Sequence, residues 1–178
     1  MKKMLYLLFV SLMVSLLGGN VAVAEEKNGA EEKLEVLNRQ ISFFNERLET
    51  EPDNPNWHFQ LGTKYYELGR FYEERADRIF LSGENKSDIN KARRLYESSV
   101  EHLEHSLRIQ PDNAGAHFNL SLTHFVDGDA ENAIVHMRKS EQLFMAYQDK
   151  RGVAKARKAL REWFDRYGYR PEDFPPRN

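Results

Sequence analysis

The sequence predicts an all-α protein, an antiparallel stack of six helices joined by short polar turns, and three observations carry that prediction. Apolar residues recur at three- and four-residue spacing in six successive stretches. Proline, glycine or a cluster of Asp and Asn interrupts the pattern between them. A block also appears twice, EPDNPNWHFQLG from Glu51 to Gly62 and QPDNAGAHFNLS from Gln110 to Ser121. Both read Pro-Asp-Asn, three variable residues, His-Phe, one variable residue and Leu.

The first residues differ from the rest. Met1-Lys2-Lys3 is a positive start, Met4 to Leu17 is apolar apart from Ser11 and Ser15, and Ala22-Val23-Ala24 has the small-x-small form that signal peptidases cut. A membrane-spanning helix needs about 20 apolar residues, more than this run holds before Gly18-Gly19-Asn20. Residues 1–24 are therefore expected to be a cleaved signal peptide, and the protein to be exported to a periplasm or secreted. Residues 25–31, EEKNGAE, are expected to be a disordered new N-terminus.

The first helix is predicted from the spacing of Leu34, Leu37, Ile41, Phe44 and Leu48, with Pro52 stopping it. A second begins near Pro55 or Asn56 and carries Trp57, Phe59, Leu61, Tyr65, Tyr66 and Leu68. Its periodicity continues beyond Gly69 through Phe71, Tyr72, Ala76, Ile79 and Phe80 to the break SGENKSD. Glycine costs only about 1 kcal/mol inside a helix, so continuity is favoured over a separate short helix at 71–81. Ser87 or Asp88 is the expected N-cap of a third helix, whose stripe runs through Ile89, Ala92, Leu95, Tyr96, Val100, Leu103, Leu107 and Ile109 to Pro111. A fourth helix is expected from Ala114 to Val126, a turn at Asp127-Gly128-Asp129, and a fifth from Glu131 to Tyr147. The sixth spans Lys150 to Tyr167, with Val153, Ala156, Leu160, Trp163 and Phe164 on one side.

Composition sets the outer bounds. With 40% hydrophobic and 30% charged residues and a mean hydropathy of −0.71, the chain is that of a soluble globular domain. Losing Lys2 and Lys3 with the signal peptide takes the formal charge from −2 to −4, which implies no polyanionic partner and no nucleic acid. The absence of cysteine excludes disulfides, thiolate metal sites, cysteine nucleophiles and lipid-modified cysteine.

Helices four and five, from Ala114 to Tyr147, form a helix–turn–helix unit of about 34 residues, and at specific positions it resembles the tetratricopeptide repeat. That family's first helix carries a large residue, Leu and a small residue, then Tyr. Here His58, Leu61, Gly62 and Tyr65 stand in one copy, with Trp57 one place early, and His117, Leu120, Ser121 and His124 in the other. The family's second helix carries Ala, a large apolar residue and a small one, then Pro. Ala133, Met137 and Ser140 match without the proline; Ser99, Leu103, Ser106 and Pro111, and Gln40, Phe44 and Pro52, match in part.

Pro52 and Pro111 are 59 residues apart, well beyond one repeat. The surplus lies between Arg70 and Leu95, and it predicts an extended hairpin in which helices two and three are each about three turns longer. The resemblance thus implies a tetratricopeptide-like α-solenoid: a half repeat at 32–54, an expanded repeat at 55–113, a regular repeat at 114–147, a capping helix at 150–167 and a tail at 168–178.

The resemblance also implies a non-catalytic adaptor or scaffold of the cell envelope that binds a segment of another protein in a concave groove. Carried over by position, the groove would be lined by Phe59, Gln60, Thr63, Tyr66 and Glu67, and by Phe118, Asn119, Leu122, Phe125 and Val126. Helix four is apolar on this side as well as on its packing side, so something is expected to cover it. Either a partner does so or the tail, with Tyr167, Tyr169 and Phe174, folds back.

No residue pattern points to catalysis or a cofactor: there is no G-x-S-x-G, no H-E-x-x-H and no phosphate-binding glycine loop. Asp127, Asp129 and Glu131 resemble the start of a calcium loop, but Asn132 stands where that motif needs Gly. The histidines are expected to pack. The alternative function, a periplasmic metal or small-ligand carrier, rests on His102 and His105, whose spacing shares a helix face. From Ala146 to Asn178 there are nine Lys and Arg against five Asp and Glu. Membrane contact is expected only through this basic helix or an uncleaved signal segment.

Overall fold

The structure is a computed structural model that describes residues 29–78 and 85–174. The signal peptide expected at 1–24, residues 25–28, the SGENKSD break up to Glu84 and residues 175–178 lie outside the described residues. The chain divides into two compact units, residues 1–39 and 40–178. In the first, the described residues are helical and Glu35 pairs with Arg39 one turn on, at 2.6 Å.

All described secondary structure is helical: α1 over 29–50, α2 Pro55–Arg78, α3 Asn85–Ile109, α4 Ala114–Val126, α5 Ala130–Ala146 and α6 Lys150–Tyr167, then a 3₁₀ turn Pro171–Asp173. Consecutive helices from α2 to α6 pack on one another. The described part of α1 includes residues 29–31, inside the stretch expected to be disordered. No helix among the described residues is long and apolar enough to cross a membrane.

Helix α2 runs unbroken through Gly69, and the packing shows why glycine stands there. A Cβ at Gly69 would lie 2.6 Å from the Tyr96 ring, and one at Gly62 would lie 2.8 Å from Leu103 Cγ and 3.1 Å from the Ser99 carbonyl oxygen. Two missing side chains therefore bring α2 against α3 along most of a long hairpin. The described start of α3 is Asn85, so the caps expected at Ser87 and Asp88 fall inside its first turn. Asp88 is buried there and accepts two hydrogen bonds from Arg75, at 2.5 and 2.6 Å. A charge-assisted fork across the hairpin has replaced a local cap, and it holds the Asp88 carboxyl below its ordinary range.

The repeated Pro-Asp-Asn blocks close their helices in one way. Asn113 is the N-cap of α4, its side-chain oxygen accepting the Ala116 N–H at 3.0 Å. Asn54 does the same for α2, accepting from Asn56 at 3.0 Å and Trp57 at 3.3 Å, with Pro55 at the first helical position. Asp129 caps α5 and Asp149 caps α6. Between α4 and α5, Gly128 takes φ 86°, a left-handed conformation that suits glycine.

Two apolar clusters stand out among the described residues of 40–178. Leu103, Ala116 and Leu120 join α3 to α4, with Phe59, Val100 and Leu107 around them. Ala133, Ile134 and Met137 of α5 meet Ala156, Leu160 and Trp163 of α6. Small residues again set the approach. Ser99, Ser106, Ser121 and Ser140 are fully buried, and Ser140 donates to the Ala114 carbonyl at 2.9 Å.

Gly62→Ala should lower the urea unfolding free energy by about 1–3 kcal/mol, because its methyl meets helix backbone as well as a side chain. Ser106 carries a buried side-chain oxygen with no hydrogen-bond partner. Ser106→Ala should therefore be neutral or gain up to about 1 kcal/mol in the same measurement, whereas Ser99→Ala, which loses a 3.2 Å bond to Thr123, should cost about 1 kcal/mol.

Candidate functional site

The eight residues expected to line a groove, Phe59, Gln60, Thr63, Tyr66, Phe118, Asn119, Leu122 and Phe125, are all half-buried. Their neighbours at the expected packing positions, Leu61, Gly62, Leu120 and Ser121, are buried. The 3.6-residue turn accounts for much of this division, since positions 59, 63 and 66 fall on one side of α2 and 61 and 68 on the opposite side. The strip has a polar bridge. Asn119 Nδ2 donates to Thr63 Oγ1 at 2.8 Å, and Thr63 donates back to the Phe59 carbonyl at 2.8 Å, tying α4 to α2. Gly115 gives the Phe59 ring room to lie on α4, since a Cβ there would sit 3.0 Å from its edge.

The other members of the strip turn toward different neighbours. Tyr66 lies against Tyr96, ring centroids 6.0 Å apart, and burial pushes its hydroxyl pKa up. Tyr96 in turn donates to Glu73 at 2.8 Å, and Glu73 also holds Arg70 at 2.8 Å. Phe118, Leu122 and Phe125 pack on the α5–α6 core. Phe125 stacks on Trp163 at 4.5 Å and meets the edge of Tyr167. The described part of the tail packs on α5 and α6. Phe174 packs on Phe164 and joins the same core, and Arg138 donates to the Pro171 and Phe174 carbonyls. Neither Arg138 nor Trp163 was marked by sequence periodicity as part of a covering surface, because both act across helices remote in the chain.

The histidines form two sets built on one plan. His58 Nε2 lies 2.8 Å from the Pro52 carbonyl and its Nδ1 lies 2.9 Å from His102 Nδ1. His117 Nε2 lies 3.1 Å from the Pro111 carbonyl and its Nδ1 2.9 Å from His136 Nδ1. A carbonyl only accepts, so each Nε2 carries the proton and each Nδ1 of His58 and His117 is left as an acceptor. His102 and His136 must then donate from Nδ1, which fixes all four tautomers. Each chain of bonds ties a proline turn to the helix after it and to that helix's partner.

A third ring completes each set. His105 stacks on His58 at 3.8 Å with Nε2 3.6 Å from Asp53; His124 stacks on His136 at 5.6 Å with Nδ1 3.6 Å from Asp129. His102 and His105, the candidate metal pair, thus aim their nitrogens at different partners, and no cluster among the described residues is arranged to hold a metal ion. The signal for the paired plan was present in the sequence, since each histidine follows its proline by the same interval, Pro52 to His58 and Pro111 to His117. The partners His102 and His136 are not equally spaced from them, so they were invisible to that comparison.

Burial holds the pKa values of His58, His102, His117 and His136 below the ordinary 6.5, that of His136 down to about 4. The unfolded chain binds protons on these rings near pH 6.5 while the folded chain does not, so stability rises with pH across this interval. It is fully present above about pH 6.5 and is lost as the pH falls toward 4. Urea unfolding should show a loss on the order of 2 kcal/mol between those limits. A His117→Phe/His136→Leu double variant should show a shallower slope over the same range.

No protein-family model matches the chain, and no curated protein matches it.

Proposed function

We propose that this chain is an exported, non-catalytic adaptor of tetratricopeptide type, which receives a segment of another protein along the strip shared by α2 and α4. The fold reading rests on the repeated boundary: an asparagine cap, a histidine on the proline carbonyl, and a second histidine on the partner helix recur at both Pro-Asp-Asn blocks. One supersecondary unit used more than once accounts for that recurrence. Half repeat, expanded repeat, regular repeat and capping helix then follow the order of the helices.

The observation that carries the binding reading is the uniform half-burial of Phe59, Gln60, Thr63, Tyr66, Phe118, Asn119, Leu122 and Phe125. Each is held by packing without being fully buried. The Thr63–Asn119 bond holds the two helices in register, so a partner finds a preformed surface and the receptor loses little freedom on binding. An extended or helical segment with apolar side chains suits this strip. The tail, anchored by Arg138 through backbone carbonyls and by Phe174 through ring packing, is an aromatic-bearing segment seated on α5 and α6.

Site-specific photo-crosslinking tests the proposal without disturbing the core. A crosslinker at Gln60 should capture a discrete protein from the cell envelope, and one at the exposed Asn90 of α3 should not. The same products from both positions, or none from Gln60, would remove the strip as the binding surface.

A further inference from the structure

A cavity of about 720 Å³ opens between the C-terminal turn of α5 and the side of α6, away from the strip of α2 and α4. Its apolar wall is Phe144 and Met145 from α5 with Val153 and Ala154 from α6. Gly152 sets that wall, because the Phe144 ring lies where a Cβ at this position would be. One and two turns further along α6 come Arg157, Lys158 and Arg161, and Lys150 stands at the opposite rim. No carboxylate lines the cavity.

The row Val153, Arg157, Arg161 climbs one face of α6 at one residue per turn, so polarity changes from apolar to cationic over about 12 Å. Arg157 is engaged by Glu141 at 2.7 Å, and its guanidinium also touches the Met145 sulfur at 3.6 Å. Lys158 has only a distant acid, Glu162 at 3.9 Å, and Arg161 holds no ion pair among the described residues. Arg161 and the loosely paired Lys158 thus face a ligand, with Lys150 at the other rim, while Arg157 is held as part of the wall.

We propose that this cavity binds a single-chain amphiphile with an anionic head, the head on Lys158 and Arg161 and the chain along Phe144, Met145 and Val153. The volume lies in the range of small-ligand sites, whereas a folded partner needs about 800 Å² of surface on each side. The charge gradient selects the head group, since a cationic head would meet four like charges and no acid among the lining residues. The chain is selected by burial of apolar surface, and affinity should rise with its length.

Calorimetry of the chain with decanoate, hexanoate and decyltrimethylammonium, all below micelle-forming concentrations, tests this. Decanoate should bind saturably at one site, hexanoate at least about tenfold more weakly, and the cationic amphiphile not at all. Lys158→Gln/Arg161→Gln should weaken decanoate binding by about fivefold or more. Arg151→Gln/Lys155→Gln removes the same charge from exposed positions of α6 outside the cavity and should change it by less than about twofold. Equal weakening by the two double variants, equal binding of both head groups, or no saturable decanoate binding at about 1 mM would overturn the assignment.

Discussion

The carbonyl oxygens of Pro52 and Pro111 are the points on which the helical stack depends. A helix end leaves carbonyls without partners, and a turn that presents one to the next helix needs a donor in a fixed place. His58 and His117 supply that donor, and because the carbonyl can only accept, the choice of tautomer propagates to His102 and His136. Each turn is thereby linked to both helices of the following hairpin. Asn54 and Asn113 close the other half of the same problem, satisfying the free N–H groups at the start of α2 and α4.

Given those turns, the separation of the helices follows from what is missing at their interfaces. Gly62 and Gly69 face Leu103 and Tyr96, and Ser121 and Ser140 occupy equivalent tight places between α4 and α5. Serine in these positions satisfies its hydroxyl on nearby backbone, as Ser140 does on Ala114 and Ser121 on Phe118. The long α2–α3 hairpin also carries its own polar ties at its far end, Arg75 to Asp88 and Tyr96 to Glu73. Such a hairpin extends beyond the helices that follow it, so its distal part has to be held by contacts within the pair.

The same packing explains why the proposed binding strip ends where it does. On α2 and near the start of α4, aromatic and amide side chains remain half-open, joined by Thr63 and Asn119. Toward the end of α4, Phe125 is taken by Trp163 and Tyr167, while the tail packs on α5 and α6 through Arg138 and Phe174. A helix apolar on two sides has thus found protein for part of its second side. The outward flank of α6 is left different in character, with cations beyond an apolar wall and no carboxylate among the residues that line that cavity.

Periodicity in the sequence determined the helices and their order, including the continuity of α2 through Gly69, because a 3.6-residue stripe is a local property of the chain. The proposed strip was legible for the same reason: Phe59 and Phe118 sit beside buried leucines at a helical offset. The start of α3 was not, since Asp88 looked like a cap and is committed to Arg75, a residue it meets only when the hairpin closes. Nor was the role of the histidines, which read as packing residues and prove to be hydrogen-bonded links between a turn and two helices. The block Pro-Asp-Asn-x-x-x-His-Phe shows the division plainly. Its asparagine cap and proline stop are set within a few residues, while the second histidine of each link is supplied by a distant part of the chain, and only the tertiary structure decides which one.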